Sequence, residues 1–247
     1  MIDLRSGGLI VVSDSSLGNV MDDGTALVAD PATKKVGTQG GYLILWGDEA
    51  LVQGRLGRFS LLSGRSHKLT RAARSSYAAE VVAAGDGVDA AQGFRDQIAE
   101  MLYGPVPRGP GLRLSGWQVP MVLVTDSRDG HDRLTSDAGV GSASQKSINL
   151  ELASIREVLD KPRTQVRWTD GTNMISDCLT KDMPADHLRE TLQRGTWSIE
   201  FREELVRTPR RVAREKWEAR MKELSRDSKF VASLPDVTER TNRGSLL

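Results

Sequence analysis

The chain is short of cysteine, of long apolar runs and of net charge, and each shortage excludes something. Its single cysteine, Cys178, rules out an intramolecular disulfide, and the three histidines, His67, His131 and His187, stand too far apart in sequence to complete a zinc cluster with it. A reducing, intracellular compartment, cytoplasmic or nuclear, fits that usage. No run of 18 apolar residues and no basic-then-apolar opening is present, so neither a transmembrane helix nor a signal peptide is expected. A net charge of +1 gives no whole-chain preference for a polyanionic partner. The charge is unevenly spread, because 12 of the 34 Lys+Arg and 8 of the 33 Asp+Glu follow from Arg202 onward, leaving 22 and 25 before it. A mildly acidic body therefore precedes a mildly basic tail. No internal repeat is visible.

What is present is enough for one good core: 247 residues at 38% hydrophobic content predict one domain over 1–201 and a charged helical or disordered tail over 202–247. Gly8–Asp14 is a short apolar run ending in an acid, which predicts a buried strand with Asp14 at its C-terminal end. The Gly, Asp, Asn and Ser-rich stretch from Ser15 to Gly37 predicts a loop. Gly40–Trp46, Ala50–Gln53 and Arg58–Ser63 read as further strands of an antiparallel meander. Pro120–Asp126 repeats the first pattern and delivers a second acid, Asp126, at a strand end. Ser127–Leu134 reads as a short helix, Gln145–Leu159 as another, Thr164–Trp168 as a strand, and Asn173–Thr180 as the start of a helix carrying Asp177 on its inner side. Pro184 ends or kinks that helix, and Arg207–Ser225 is a charged helix candidate.

The longest pattern lies in Leu62–Leu102. Val81, Ala84, Val88, Ala91, Phe94, Ile98 and Met101 recur at steps of three and four, one buried face of a helix of about seven turns. Ser75 and Ser76 are good N-caps. Gly85, Gly87 and Gly93 each cost roughly 1 kcal/mol relative to Ala in a helix interior, so packing must hold it. Glu80 projects from the edge of the apolar face, and either of two readings explains it: a charge complementing the helix dipole, or one member of a convergent group.

Asp14, Glu80, Asp126 and Asp177 together make a four-carboxylate group if the elements converge. Converging carboxylates repel and raise one another's pKa, so such a group calls for protonation or for a hard divalent cation. Oxygen-only ligands select Mg²⁺ or Mn²⁺, and two ions about 3.5–4 Å apart suit phosphodiester cleavage.

Three strings in order, Arg65–Glu80 (RSHKLTRAARSSYAAE), Val124–Asp137 (VTDSRDGHDRLTSD) and Ser176–Pro184 (SDCLTKDMP), resemble the ribonuclease H domain at the C-terminus of copia-type retrotransposon (retrovirus-related) Pol polyproteins. The resemblance covers roughly residues 8–200. It implies an α/β, ribonuclease H-like fold, a mixed five-stranded sheet with helices on both faces. It implies that Asp14, Glu80, Asp126 and Asp177 are the catalytic and metal-binding acids, holding two Mg²⁺ ions with Mn²⁺ as substitute. The implied reaction is hydrolysis of the RNA strand of an RNA/DNA hybrid, leaving a 3′-hydroxyl and a 5′-phosphate. A reverse-transcriptase polymerase domain in a parent polyprotein is the implied protein partner; no membrane is.

Four further residues are candidates for substrate binding. Arg65, His67 and Lys68 precede the long helix and suit phosphate contact or a solvated loop equally. Ser127, next to Asp126, either recognises a 2′-hydroxyl or caps a helix. Where many ribonucleases H carry a mobile histidine, this chain has Thr169-Asp170-Gly171-Thr172, so the alternative function is a catalytically inactive module that binds nucleic acid or protein.

Overall fold

The computed structural model describes residues 4–21, 36–70, 73–105, 118–136, 146–161 and 163–199. The tail expected over 202–247, with its charged helix Arg207–Ser225, lies outside the described residues.

Gly8–Met21 (β1), Val36–Gly47 (β2) and Gly57–Lys68 (β3) pair in succession and antiparallel. Met121–Thr125 (β4) lies parallel to β1, and Thr164–Trp168 (β5) parallel to β4. Thr196–Trp197 (β6) pairs with the start of β3, giving the order β5-β4-β1-β2-β3-β6. Among the described residues this is the mixed sheet expected of a ribonuclease H-like fold, with six strands where five were expected. Both faces of its centre are apolar because β1 and β4 are continuous runs of Val, Ile, Leu and Met rather than alternating ones, as strands covered on both sides must be.

One face carries Leu9, Val11, Ile44, Trp46, Met121 and Leu123 against the long helix Ser76–Tyr103 (α2), with the helix Lys146–Leu159 packed in turn on α2. The other carries Ile10, Val12, Leu43, Leu45, Val122 and Val124 against the short helix Glu49–Val52 (α1), the turns around Met174 and Ile175, and the helix Asp186–Arg194. Each aliphatic side chain buried in these layers contributes roughly 1.5–3 kcal/mol, so the strand centres anchor the fold. The remaining helix, Arg128–Thr135, follows β4; with α1 and α2 named, we call it α3, Lys146–Leu159 α4 and Asp186–Arg194 α5.

Several local expectations change. Ala50–Gln53 is not a strand: Asp48 accepts the Leu51 N–H at 3.0 Å and starts α1 instead. Both ends of the loop expected over Ser15–Gly37 are strand instead, since β1 and β2 run on as a paired ribbon with an irregularity between Ser16 and Val20. Asp14 is therefore inside a strand, not at its end. The helix expected over Asn173–Thr180 is replaced by two 3-10 turns, Gly171–Asn173 and Asp177–Leu179. Asp170 Oδ1 takes the Thr172 N–H at 2.8 Å and its hydroxyl at 2.6 Å, and such local bonds compete with helix propagation. The true helix, α5, starts only after Pro184.

Along α2 the apolar face holds as far as Ala91, then rotates. Phe94 and Ile98 are half-buried and Met101 is 76% exposed, while Gln92, Arg95 and Ala99 are buried. Arg95 explains the rotation: its Nε donates to Val119 O at 2.8 Å and one terminal nitrogen to Thr164 Oγ1 at 3.0 Å, tying α2 to the start of β4 and of β5. The glycines at 85 and 87 allow close approach. A Cβ at Gly87 would stand 3.1 Å from Val11 Cγ1 and 3.3 Å from Tyr42 Cβ, and one at Gly85 would meet the Glu151 carboxylate of α4. Nothing lies within 4 Å of a Cβ at Gly93. Among the described residues, no helix is long and apolar enough to cross a membrane.

Candidate metal centre

Strand register brings the first two acids together. β1 and β4 pair from Leu9↔Met121 to Val12↔Val124, and Asp14 and Asp126 each follow two residues later, so they share a row where β4 ends and β1 continues. Glu80 reaches the same point from the second turn of α2, whose N-cap Ser75 accepts the Ala78 N–H at 3.1 Å. Its carboxylate is turned to the sheet and not to its own backbone: Ser15 N–H and Oγ–H donate to Glu80 Oε1 at 3.3 and 2.9 Å. One carboxylate oxygen from each of Asp14, Glu80 and Asp126 lies within 4.8 Å of the others.

Asp177 comes from the other side of the sheet, on the second 3-10 turn. It stands outside that three-oxygen group but beside it. Lys181 Nζ is 2.8 Å from Asp177 Oδ1 and 3.6 Å from Asp14 Oδ1, and Thr180 Oγ1 donates to Asp14 Oδ2. The turn sits close because β2 has glycine opposite Asp14. A Cβ at Gly41 would be 2.7 Å from Leu179 Cβ and 3.0 Å from Thr180 Cγ2.

The electrostatics follow from this crowding. Burial raises the Asp14 carboxyl to about 6, with Asp126 and Asp177 adding to the rise and Thr180 and Lys181 opposing it. Burial, then Asp14 and Asp126, push Glu80 up to about 9 against the two bonds from Ser15. Asp126 is raised as well, chiefly by burial. Lys181 is raised although burial alone would lower it, because Asp177, Asp14 and Asp126 surround it. Asp14 is 1% exposed, its Oδ1 has no hydrogen-bond donor, and neither has Glu80 Oε2. Unsatisfied buried oxygens on Asp14 and Glu80, with an Asp126 oxygen within 4.8 Å of them, fit a hard divalent cation, which would both take up those lone pairs and relieve the repulsion.

Of the four residues expected to meet substrate, three lie on β3. Its register puts Ser66 level with Gly41 and Asp14, two strands away, so Arg65, His67 and Lys68 border the same end of the sheet at about 10 Å. Arg65 and Lys68 are exposed there, while His67 is turned inward, with Nε2 2.9 Å from Asp86 Oδ2 on α2. Ser127 caps α3, its Oγ accepting the Gly130 N–H at 3.2 Å. The segment in place of a mobile histidine passes close by: a Cβ at Gly171 would be 3.6 Å from Asp126 Oδ2. On the outer side of Asp126, Trp168 Nε1 donates to the Asp126 carbonyl at 2.8 Å, and Arg128 lies over the Trp168 ring at 5.6 Å. Arg128 and Trp168, with His131 and Arg167, line a cleft of about 270 Å³.

Sequence reasoning misses Ser15 and Gly41, and leaves Lys181 open between packing a helix end and meeting the backbone of a hybrid. Ser15 carries no pattern beyond adjacency to Asp14. Gly41 reads as one half of a Gly-Gly pair, with nothing to show what presses on it.

No family model matches the sequence, and no curated protein matches it. Among solved structures the chain is similar to RNase H1 from the halophilic archaeon Halobacterium salinarum NRC-1, at 16% identity and a TM-score of 0.41 over 69% of this chain and 92% of that one. It is similar to the N-terminal RNase H domain of a Mycobacterium tuberculosis protein, at 11% identity and a TM-score of 0.40 over 77% and 96%. A third is the RNase H1 LC11, isolated from compost and solved with an RNA/DNA hybrid, at 14% identity and a TM-score of 0.41 over 69% and 92%. Strand order and register, rather than these scores, define the fold.

Proposed function

We propose that the chain is a metal-dependent endoribonuclease that cleaves the RNA strand of RNA/DNA hybrids, and that it derives from a copia-type retrotransposon polyprotein. The observation that carries this reading is the meeting of Asp14, Glu80 and Asp126 from three separate elements, with a buried oxygen lacking a donor on each of Asp14 and Glu80. The three ordered strings that resemble copia-type ribonuclease H domains supply the substrate class. Residues 1–201 form the catalytic unit in this reading, and 202–247 an appendage. The parent polyprotein would supply a reverse-transcriptase partner.

In this reading Asp14, Glu80 and Asp126 hold Mg²⁺, or Mn²⁺ in its place, with Asp177 completing a second position. A divalent cation so held supplies Lewis acidity toward a phosphodiester. The chain's own groups do the rest. Ser15 fixes the Glu80 carboxylate and Thr180 the Asp14 carboxylate, so both acids are oriented before substrate arrives. Arg65 and Lys68 on β3 border the acids on one side, and Trp168, bonded to the Asp126 carbonyl, with Arg128 over its ring, stands on the other, where a basic and aromatic lining suits a nucleic-acid backbone and its bases. Ser127, next to Asp126, would test a 2′-hydroxyl.

Purified protein with Mg²⁺ is expected to cut the RNA of a labelled hybrid, leaving 3′-hydroxyl and 5′-phosphate ends. Asp126→Asn is expected to lower the rate about a thousandfold or more, since several kcal/mol of charge stabilisation is lost. Its thermal unfolding in chelator should stay cooperative, at or above the wild-type temperature, because a buried, repelled charge is removed. Wild-type cleavage by that variant would remove Asp126 from the site. One observation favours a non-cleaving, hybrid-binding module instead: an ammonium already sits between Asp14 and Asp177. Hybrid binding without cleavage in either Mg²⁺ or Mn²⁺ would establish that alternative.

A further inference from the structure

Lys181 is inside the acid group, and the turn that carries it leaves little freedom. The Thr180 and Lys181 N–H groups both bond to the Asp177 carbonyl, at 3.1 and 2.9 Å, so one short loop fixes the backbone of the acid, the hydroxyl and the ammonium together. Thr180 then occupies Asp14 Oδ2, and Lys181 Nζ reaches between Asp177 Oδ1 at 2.8 Å and Asp14 Oδ1 at 3.6 Å. The Lys181 side chain is 36% exposed, so its stem enters from the rim while its head lies between two acids, one of them wholly buried.

We infer that the Lys181 ammonium occupies the position between Asp14 and Asp177 where a second divalent cation would bind, so that the chain takes its first cation at Asp14, Glu80 and Asp126 and its second only by displacing Lys181. This rests on the metal-site reading above. A cation bridging Asp14 and Asp177 must use the oxygens that Nζ faces, and two positive charges cannot share that space. The ammonium also has the advantage of being tethered, so an outside ion competes against a high local concentration. Lysine suits the role because its head is a compact point charge on a flexible stem and can withdraw to the exposed rim. The first position is less occupied: Nζ stands 3.6 Å from Asp14 Oδ1 against 2.8 Å from Asp177 Oδ1, Ser15 donates to one Glu80 oxygen, and Glu80 Oε2 is left without a donor.

Mn²⁺ titration of the full chain stripped of metal tests this, with calorimetry for heat and electron paramagnetic resonance for free ion. Wild type is expected to bind one ion well and a second at least about tenfold more weakly, a gap of about 1.4 kcal/mol. Lys181→Met and Lys181→Gln should strengthen the second step by at least about tenfold while leaving the first within a few-fold. Lys181→Arg, which keeps the charge, should retain the weak second step, and Glu80→Gln should lose the first. An unchanged second step in both neutral variants, or Lys181→Arg behaving as they do, would overturn the role of Lys181. Absence of any Mn²⁺ binding in wild type and neutral variants alike would instead overturn the metal site on which it rests.

Discussion

The two faces of the sheet deliver acids to the same point by opposite means. On one face, Glu80 arrives on a 28-residue helix whose cap, apolar stripe and Arg95 anchor all lie outside the site. On the other, Asp177 arrives on a 3-10 turn of three residues whose position depends on contacts inside the site: Thr180 on Asp14, Lys181 between two acids, and Leu179 against Gly41. The first acid is placed by the scaffold and the second by its neighbours. A rigid helix suits a ligand that must be ready before a cation arrives. A short turn held by ion pairs suits one that rearranges when it does, since none of its own three residues is fully buried.

The largest effect that should separate the faces comes from Gly41→Ala. The added methyl stands 2.7 Å from Leu179 Cβ, so the turn must move and Asp177, Thr180 and Lys181 with it. A loss of about 1–3 kcal/mol in unfolding free energy is expected from overpacking. Hybrid cleavage should fall with it, whereas the first Mn²⁺ step at Asp14, Glu80 and Asp126 should survive. If that first step falls as far as cleavage does, the two faces are not separable in this way.

The next effect concerns the helix face and pH. Folding raises Glu80 from 4.5 to about 9 and Asp14 from 3.8 to about 6, so in chelator the native state keeps protons that the unfolded chain has released. Stability should therefore fall as pH rises above about 4, with the Asp14 part complete by about 6 and the Glu80 part continuing to about 9. Mg²⁺ should flatten the decline, and Glu80→Gln should remove its upper part. Melting temperatures at pH 5, 7 and 9, with and without chelator, measure both; a chelator profile that rises with pH contradicts the placement of Glu80.

The smallest effect is Gly93→Ala. With nothing within 4 Å of the new methyl, helix propensity alone should act, raising stability by about 1 kcal/mol in denaturant unfolding without changing cleavage. Gly87→Ala is the control on the buried side of α2, where Val11 and Tyr42 stand in the way.

The same division explains what could be read from the sequence. The apolar runs of β1 and β4, the Ser75 cap and the stripe from Val81 to Ala91 are local and periodic, and they placed Glu80 and Asp126 on the correct elements. Composition changes after Asp14 and predicts a strand end there, but antiparallel pairing with β2 carries the strand on to Met21. On the turn face, periodicity of Met174, Ile175 and Leu179 suggested a helix that Asp170 and Thr172 divert locally. Gly41 was opaque for a different reason, since the need for glycine is set by a turn about 140 residues away, a distance no local pattern spans. Arg95 belongs with it, as a charged residue buried only because two strand starts happen to need its donors.

The most direct measurement is a crystal of the full chain grown with Mn²⁺ and read by anomalous scattering. A peak between the carboxylates of Asp14, Glu80 and Asp126, lost in Asp126→Asn, is the predicted result. A wild-type crystal with those three side chains ordered and no peak between them, or with Mn²⁺ bound elsewhere, would contradict the account.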